Sequence, residues 1–215
     1  MGLNQFSYQL SWFVTSLIVF LWITITSTYV AHTSFLPNTN MYLLFLYFLL
    51  FSISEITLCF LIATFFTNSK LAAIVGPVVL FVSILPKYVF YGSNVDESTR
   101  AKYAASLFSP TAFAFGADIL TSYEYSGRGV QFTNMSENNY SMVSVFQMLT
   151  LDIFIYSFLA WYLDQVLLND LRTPKHFLFL FNPYYWCPFL RKYACSRPAD
   201  SARLHILPPG EKLFT

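Results

Sequence analysis

The chain has 215 residues, of which 56% are hydrophobic, 20% aromatic and 11% charged. An average soluble domain is about 25% charged, and a soluble chain of this size could not bury so much apolar surface, so a bilayer is the expected environment. The net charge of +1 gives no general basic field and argues against a nucleic-acid partner.

The first residues carry a pattern. Leu3, Phe6, Leu10 and Phe13 recur at helical spacing, which predicts a short amphipathic helix at the membrane surface over residues 1–11. A hydrocarbon core about 30 Å thick needs about 20 apolar helical residues. Residues 12–31 meet that length without a charge and predict a first span. They have no positive flank before them and no small-residue cleavage site after them, unlike a cleavable signal. A polar link with Pro37 follows, and residues 41–66 predict a second span carrying Glu55. After a turn at residues 67–70, a third span is expected over 71–91. Pro77 and Pro86 lie inside it and should kink it.

Residues 103–120 are apolar again, but short, with Pro110 and Gly116 near the middle. They predict a broken, re-entrant helical hairpin, a backbone tolerated at membrane depth where protein covers it. Residues 121–140 form a polar loop with two glycosylation sequons, at Asn134 and Asn139. Residues 142–163 predict the last span, with Asp152 inside it. Residues 167–215 read as a basic tail or linker with an interfacial aromatic run. The expected fold class is an all-α membrane protein, a polytopic helical bundle of four crossings plus a re-entrant exocytoplasmic hairpin.

Basic residues set orientation. Four crossings put both chain ends and Lys70 on one side, which then holds Lys70, Arg172, Lys175, Arg191, Lys192, Arg197, Arg203 and Lys212. Lys87, Arg100, Lys102 and Arg128 fall on the other side, diluted by Asp96, Glu97, Glu124 and Glu137. Both termini are therefore expected in the cytoplasm, with the sequon loop lumenal or extracellular.

The sequence contains no GxxxxGK[ST] phosphate loop and no GxSxG, HExxH or CxxC motif. No enzyme activity and no cofactor are expected of this chain. Cys59, Cys187 and Cys195 are too unevenly spaced for a disulfide framework or a metal site. His32, His176 and His205 lie far apart in polar or terminal segments, so no metal centre is expected either. The intramembrane carboxyls are the candidate functional residues. An ionised group at a helix centre costs about 3 kcal/mol on insertion scales, so each needs a polar environment or a proton. Glu55 is either a polar spot on a substrate path or one half of a hydrogen bond between helices. Asp152 and Tyr156 sit one helical turn apart on one face. Asp152 is expected to accept a local or interhelical hydrogen bond, or to share that path.

Several stretches together resemble a known family. Met1, Gly2 and Leu3 followed by Leu10, Ser11, Trp12 and Phe13 match MGL…LSWF. Residues 60–66, then Leu71, Ala72, Ala73 and Gly76, resemble FLISTFF…LAA..G. Ser109, Pro110, Thr111, Ala112, Phe113, Phe115 and Gly116 match SPxAFxFG. Asp152, Tyr156 and residues 161–166 match the final helix and its exit, and Tyr185 with Trp186 matches SYW. In this order the chain resembles the membrane domain of A-subfamily ABC transporters, the large eukaryotic lipid exporters, and their first membrane half more than their second. It departs from them after Val166, where a PGxYGxPRPWYF-like run is replaced and only Pro174 and some aromatics survive.

The resemblance implies a fragment that lacks the first two helices of the half, the large exocytoplasmic domain and the nucleotide-binding domain. It implies a lipid translocation path through membrane helices, with phospholipid or sterol as cargo. It implies that ATP and Mg act in the nucleotide-binding domain, with that domain and a second membrane half as partners in the intact transporter. It implies that Gly2, Leu3, Asn4 and Gln5 belong to a coupling helix that docks on the nucleotide-binding domain. A plasma membrane or an intracellular vesicle membrane is the expected location. The alternative, from another class, is a truncated membrane protein with a structural or interaction role.

Overall fold

A computed structural model of the chain describes residues 5–66, 69–89, 99–137 and 139–166. The regular elements among the described residues are all helices, with no strand: α1 (Gln5–Ser34), α2 (Met41–Thr64), α3 (Ser69–Ile84), α4 (Pro86–Val89), α5 (Thr99–Ala105), α6 (Ser109–Tyr125) and α7 (Met142–Val166). Among the described residues, four stretches are long and apolar enough to cross a bilayer: Leu10–Ser34, Met41–Thr64, Lys70–Val89 and Met142–Asp164. The chain is an integral membrane protein, and its described residues have the expected all-α, four-span architecture.

α1 is rich in threonine, a poor helix former in water. Here Thr15, Thr26, Thr28 and Thr33 each donate a hydroxyl to the carbonyl oxygen one turn earlier, so their polar groups are satisfied inside the helix. α1 runs without a break through residues 11 and 12, where a surface helix was expected to give way to a span. Gly2, Leu3 and Asn4 lie outside the described residues, as does the tail at 167–215. Gln5 is the first residue of α1.

Asn40 caps α2, its side-chain oxygen accepting from the Tyr42 amide at 2.9 Å. α2 is the central helix. It packs most extensively on α7 and α1, and also on α3 and α6. One core cluster joins Leu43, Leu44 and Tyr47 of α2 to Ala112 and Leu120 of α6 and to Val145 and Leu149 of α7. A second joins Leu58 and Ile62 of α2 to Tyr156 of α7, with Val79 and Leu80 of α3 against them.

Proline placement corrects one expectation. Pro77 sits inside α3, and the third span is interrupted at Leu85, just before Pro86, which opens α4. The break expected at Pro110 and Gly116 falls earlier, at residues 106–108 between α5 and α6. Pro110 lies in the first turn of α6, where a missing N–H costs nothing. Gly116 is interior to α6 and lies against the Tyr47 ring; a Cβ there would come within 2.6 Å of the ring carbon Cε2. α6 then runs on to Tyr125, into the segment expected to be loop.

Candidate functional site

The two intramembrane carboxyls lie where α2, α6 and α7 meet. Glu55 is buried, 8% exposed, and its Oε1 accepts a hydrogen bond from the Ser109 hydroxyl at 3.1 Å. Ser109 opens α6, so this bond ties the middle of α2 to the start of α6. Tyr156 binds the same junction from α7. Its hydroxyl donates to the Leu107 carbonyl at 2.8 Å and accepts from the Ser109 amide at 3.2 Å. The Ser109 amide is one of the donors that the first turn of a helix leaves without an intrahelical partner, and Tyr156 satisfies it. Thr111, two residues further along α6, donates to the Ser83 carbonyl of α3 at 2.5 Å. Side chains of α2 and α7, and a carbonyl of α3, thus anchor the start of α6.

Asp152 behaves differently. It is fully buried, and among the described residues neither carboxyl oxygen has a hydrogen-bond partner. This corrects the expected local or interhelical bond. Tyr156, one turn away, spends its hydroxyl on Leu107 and Ser109 instead. The hydroxyl of Ser54, beside Glu55 on α2, is buried and likewise unbonded. The site therefore holds one acid engaged between helices, one acid with none of its capacity used, and one spare hydroxyl. In hydrocarbon an unsatisfied polar group costs several kcal/mol, so such a group marks a place held for a purpose or for a partner.

The loop side of the bundle is held by charge. Glu124 of α6 accepts from the Asn38 amide (3.0 Å), the Asn38 side chain (2.8 Å) and the Thr39 hydroxyl (2.9 Å) in the α1–α2 link. Lys87 of α4 pairs with Asp118 of α6 at 2.9 Å. Gly129 adopts a φ of +60° and lies against the Asn38 carbonyl, where a Cβ would come within 2.2 Å of the oxygen. Of the two sequons, Asn134 already uses its side chain: Oδ1 accepts from the Gln131 amide and Nδ2 donates to the Gly129 carbonyl, both at 2.8 Å. Asn139 is exposed. Tyr140 hydrogen-bonds Ser106 at 2.6 Å, and burial pushes its phenol up to about 12, so it stays neutral.

Glu55, Asp152 and Tyr156 could be found from the sequence because a carboxyl in an apolar run stands out. Ser109, Ser54 and Thr111 were missed. Ser109 had a local signal, a serine before a helix-starting proline, but its partners lie 47 and 54 positions away.

A polytopic bundle of membrane-crossing helices with buried carboxyls between them defines an integral membrane domain. No family model matches the chain. Over 191 residues, 86% of this chain and 8% of the relative, it is 36% identical to the retinal-specific phospholipid-transporting ATPase ABCA4 of Homo sapiens. It is 33% identical over 193 residues to the glucosylceramide transporter ABCA12 of Mus musculus, again 86% of this chain and 7% of the relative. With the phospholipid-transporting ATPase ABCA7 of Homo sapiens it shares 31% identity over 219 residues, 98% of this chain and 10% of the relative. The chain is thus a homologue of the A-subfamily ABC transporters, and it spans about a tenth or less of the length of these curated relatives.

Proposed function

We propose that this chain is membrane-spanning material of an ATP-driven lipid transporter and forms part of its lipid translocation path. The observation that carries the reading is similarity along 86% of the chain to relatives named as phospholipid and glucosylceramide transporters. The four spans supply the helices such a path needs. In this reading ATP and Mg act in a nucleotide-binding domain elsewhere in the intact protein, and a second membrane half completes the path. Residues 1–9, including Gly2, Leu3, Asn4 and Gln5, dock on the nucleotide-binding domain. Both termini are cytoplasmic, the Asn134 and Asn139 loop is exocytoplasmic, and residues 103–120 form a re-entrant hairpin. Glu55, Asp152 and Tyr156 are the polar station of the path.

The test uses the protein encoded by the complete coding sequence that contains this segment. Its ATPase activity, measured in detergent with and without added phospholipid, should rise with lipid. An authentic coding sequence that ends without a phosphate loop, and a product without lipid-stimulated ATPase, would favour the structural or interaction role instead.

A further inference from the structure

Among the described residues, the buried side-chain atoms that have no hydrogen-bond partner are the hydroxyl of Ser54 and both carboxyl oxygens of Asp152. Both residues are 0% exposed, and the packing puts them in one seam. α2 and α7 run parallel along their interface, early residues with early and late with late: Tyr47 clusters with Val145 and Leu149, and Leu58 and Ile62 cluster with Tyr156. Ser54 follows Tyr47 by seven positions and precedes Leu58 by four, so all three share a face of α2. Asp152 follows Leu149 by three and precedes Tyr156 by four, on the matching face of α7. The two unbonded groups therefore lie between the two apolar clusters, and Glu55, next to Ser54, adds a second buried carboxyl. α2, α6 and α7 contain no lysine, arginine or histidine, so no basic side chain of the three helices that meet here balances an ionised acid.

We propose that Asp152, Ser54 and the adjoining Glu55 form a binding site for a monovalent metal cation, sodium or potassium, between α2 and α7. Carboxyl and hydroxyl oxygens are ligands for hard cations. A proton on Asp152 would cancel its charge but leave the Ser54 hydroxyl and a carboxyl oxygen unbonded, whereas one cation engages them together. Calcium takes about six to eight oxygens and magnesium keeps several waters, more than three side chains in a buried seam supply. Glu55 already accepts from Ser109, which leaves Asp152 as the main negative charge and a single positive charge as its match. The proposal rests on the packing of α2 against α7 and not on lipid movement, and its test needs neither ATP nor transport.

The experiment uses the full chain purified in detergent at fixed pH and ionic strength, with N-methylglucamine as the replacing cation. Binding of radioactive sodium should saturate at about one ion per chain, and sodium should raise the melting temperature with the logarithm of its concentration once the site fills. Asp152→Leu should abolish both effects while melting at or above the parent in N-methylglucamine. Ser54→Ala, a smaller change that guards against misfolding, should raise the half-saturating sodium concentration about tenfold, in keeping with the loss of one polar contact to a charged group. Asp118→Asn, which removes an acid paired with Lys87 elsewhere in the bundle, should bind sodium as the parent does. No saturable binding of sodium or potassium by the folded parent, or binding and a melting shift that persist in Asp152→Leu, would overturn the proposal.

Discussion

Tyr47 and Gly116 show how closely single residues set the packing of this bundle. The Tyr47 ring is 1% exposed and stacks on Phe113 at 4.8 Å, with its hydroxyl donating to the Phe113 carbonyl. Gly116, one turn on, leaves room for that ring. Gly116→Val should therefore lower thermal stability by about 1–3 kcal/mol, the usual cost of overpacking a filled core. Gly76→Ala is the control, since nothing lies within 4 Å of its added Cβ, and it should be neutral or gain about 0.5–1 kcal/mol. A melting series in one detergent checks both. Asp152 allows a second test at this scale. Its oxygens have no partner among the described residues, so Asp152→Leu should hold or raise stability, because it removes an unsatisfied buried group worth about 1–3 kcal/mol. A clear drop in melting temperature would reveal a partner for the carboxyl. The sequence made Asp152 visible as an acid in an apolar run, but not its isolation, which depends on where Tyr156 sends its hydroxyl.

Between elements, the junction of α2, α6 and α7 rests on few bonds. Glu55→Leu should orphan the Ser109 hydroxyl and loosen the start of α6, whereas Glu55→Gln keeps an acceptor there. The expected loss for leucine is about 1–3 kcal/mol, with glutamine close to the parent, read by thermal unfolding followed at α6. Gly129→Ala probes the other end, where φ is +60° and the Asn38 carbonyl stands in the way. It should cost about 1–3 kcal/mol of loop stability, seen as faster hydrogen exchange at Val130 and Asn40, whose backbones bond at 2.9 Å. The four spans were legible because a long uncharged apolar run has few alternatives in a bilayer. Their interruptions were less so. A proline shows where a backbone bond is lost, not whether the helix runs on, as at Pro77, or starts afresh, as at Pro86 and Pro110.

For the molecule as a whole, the peripheral spans suggest how it is used. In their most apolar stretches α1 and α3 bury 11% and 6% of their residues within the bundle, against 33% for α2 and α7. Trp22 on α1 and Phe81 on α3 are 71% and 69% exposed, which suits faces turned to lipid or to further spans of an intact transporter. The proposed orientation makes its own prediction. In a glycosylating membrane system a glycan should appear on the sequon loop, and protease should reach the tail only from the cytoplasmic side. Tail cleavage from the lumenal side would reverse the topology. The central claim, that these helices serve lipid movement, is tested most directly by following a fluorescent phospholipid between leaflets. The protein encoded by the complete coding sequence is reconstituted in vesicles for this. ATP should drive the labelled lipid across, and Glu55→Leu should slow that movement more than it slows ATP hydrolysis. No ATP-dependent movement of any phospholipid or sterol probe, in protein that inserts and hydrolyses ATP normally, would contradict the account.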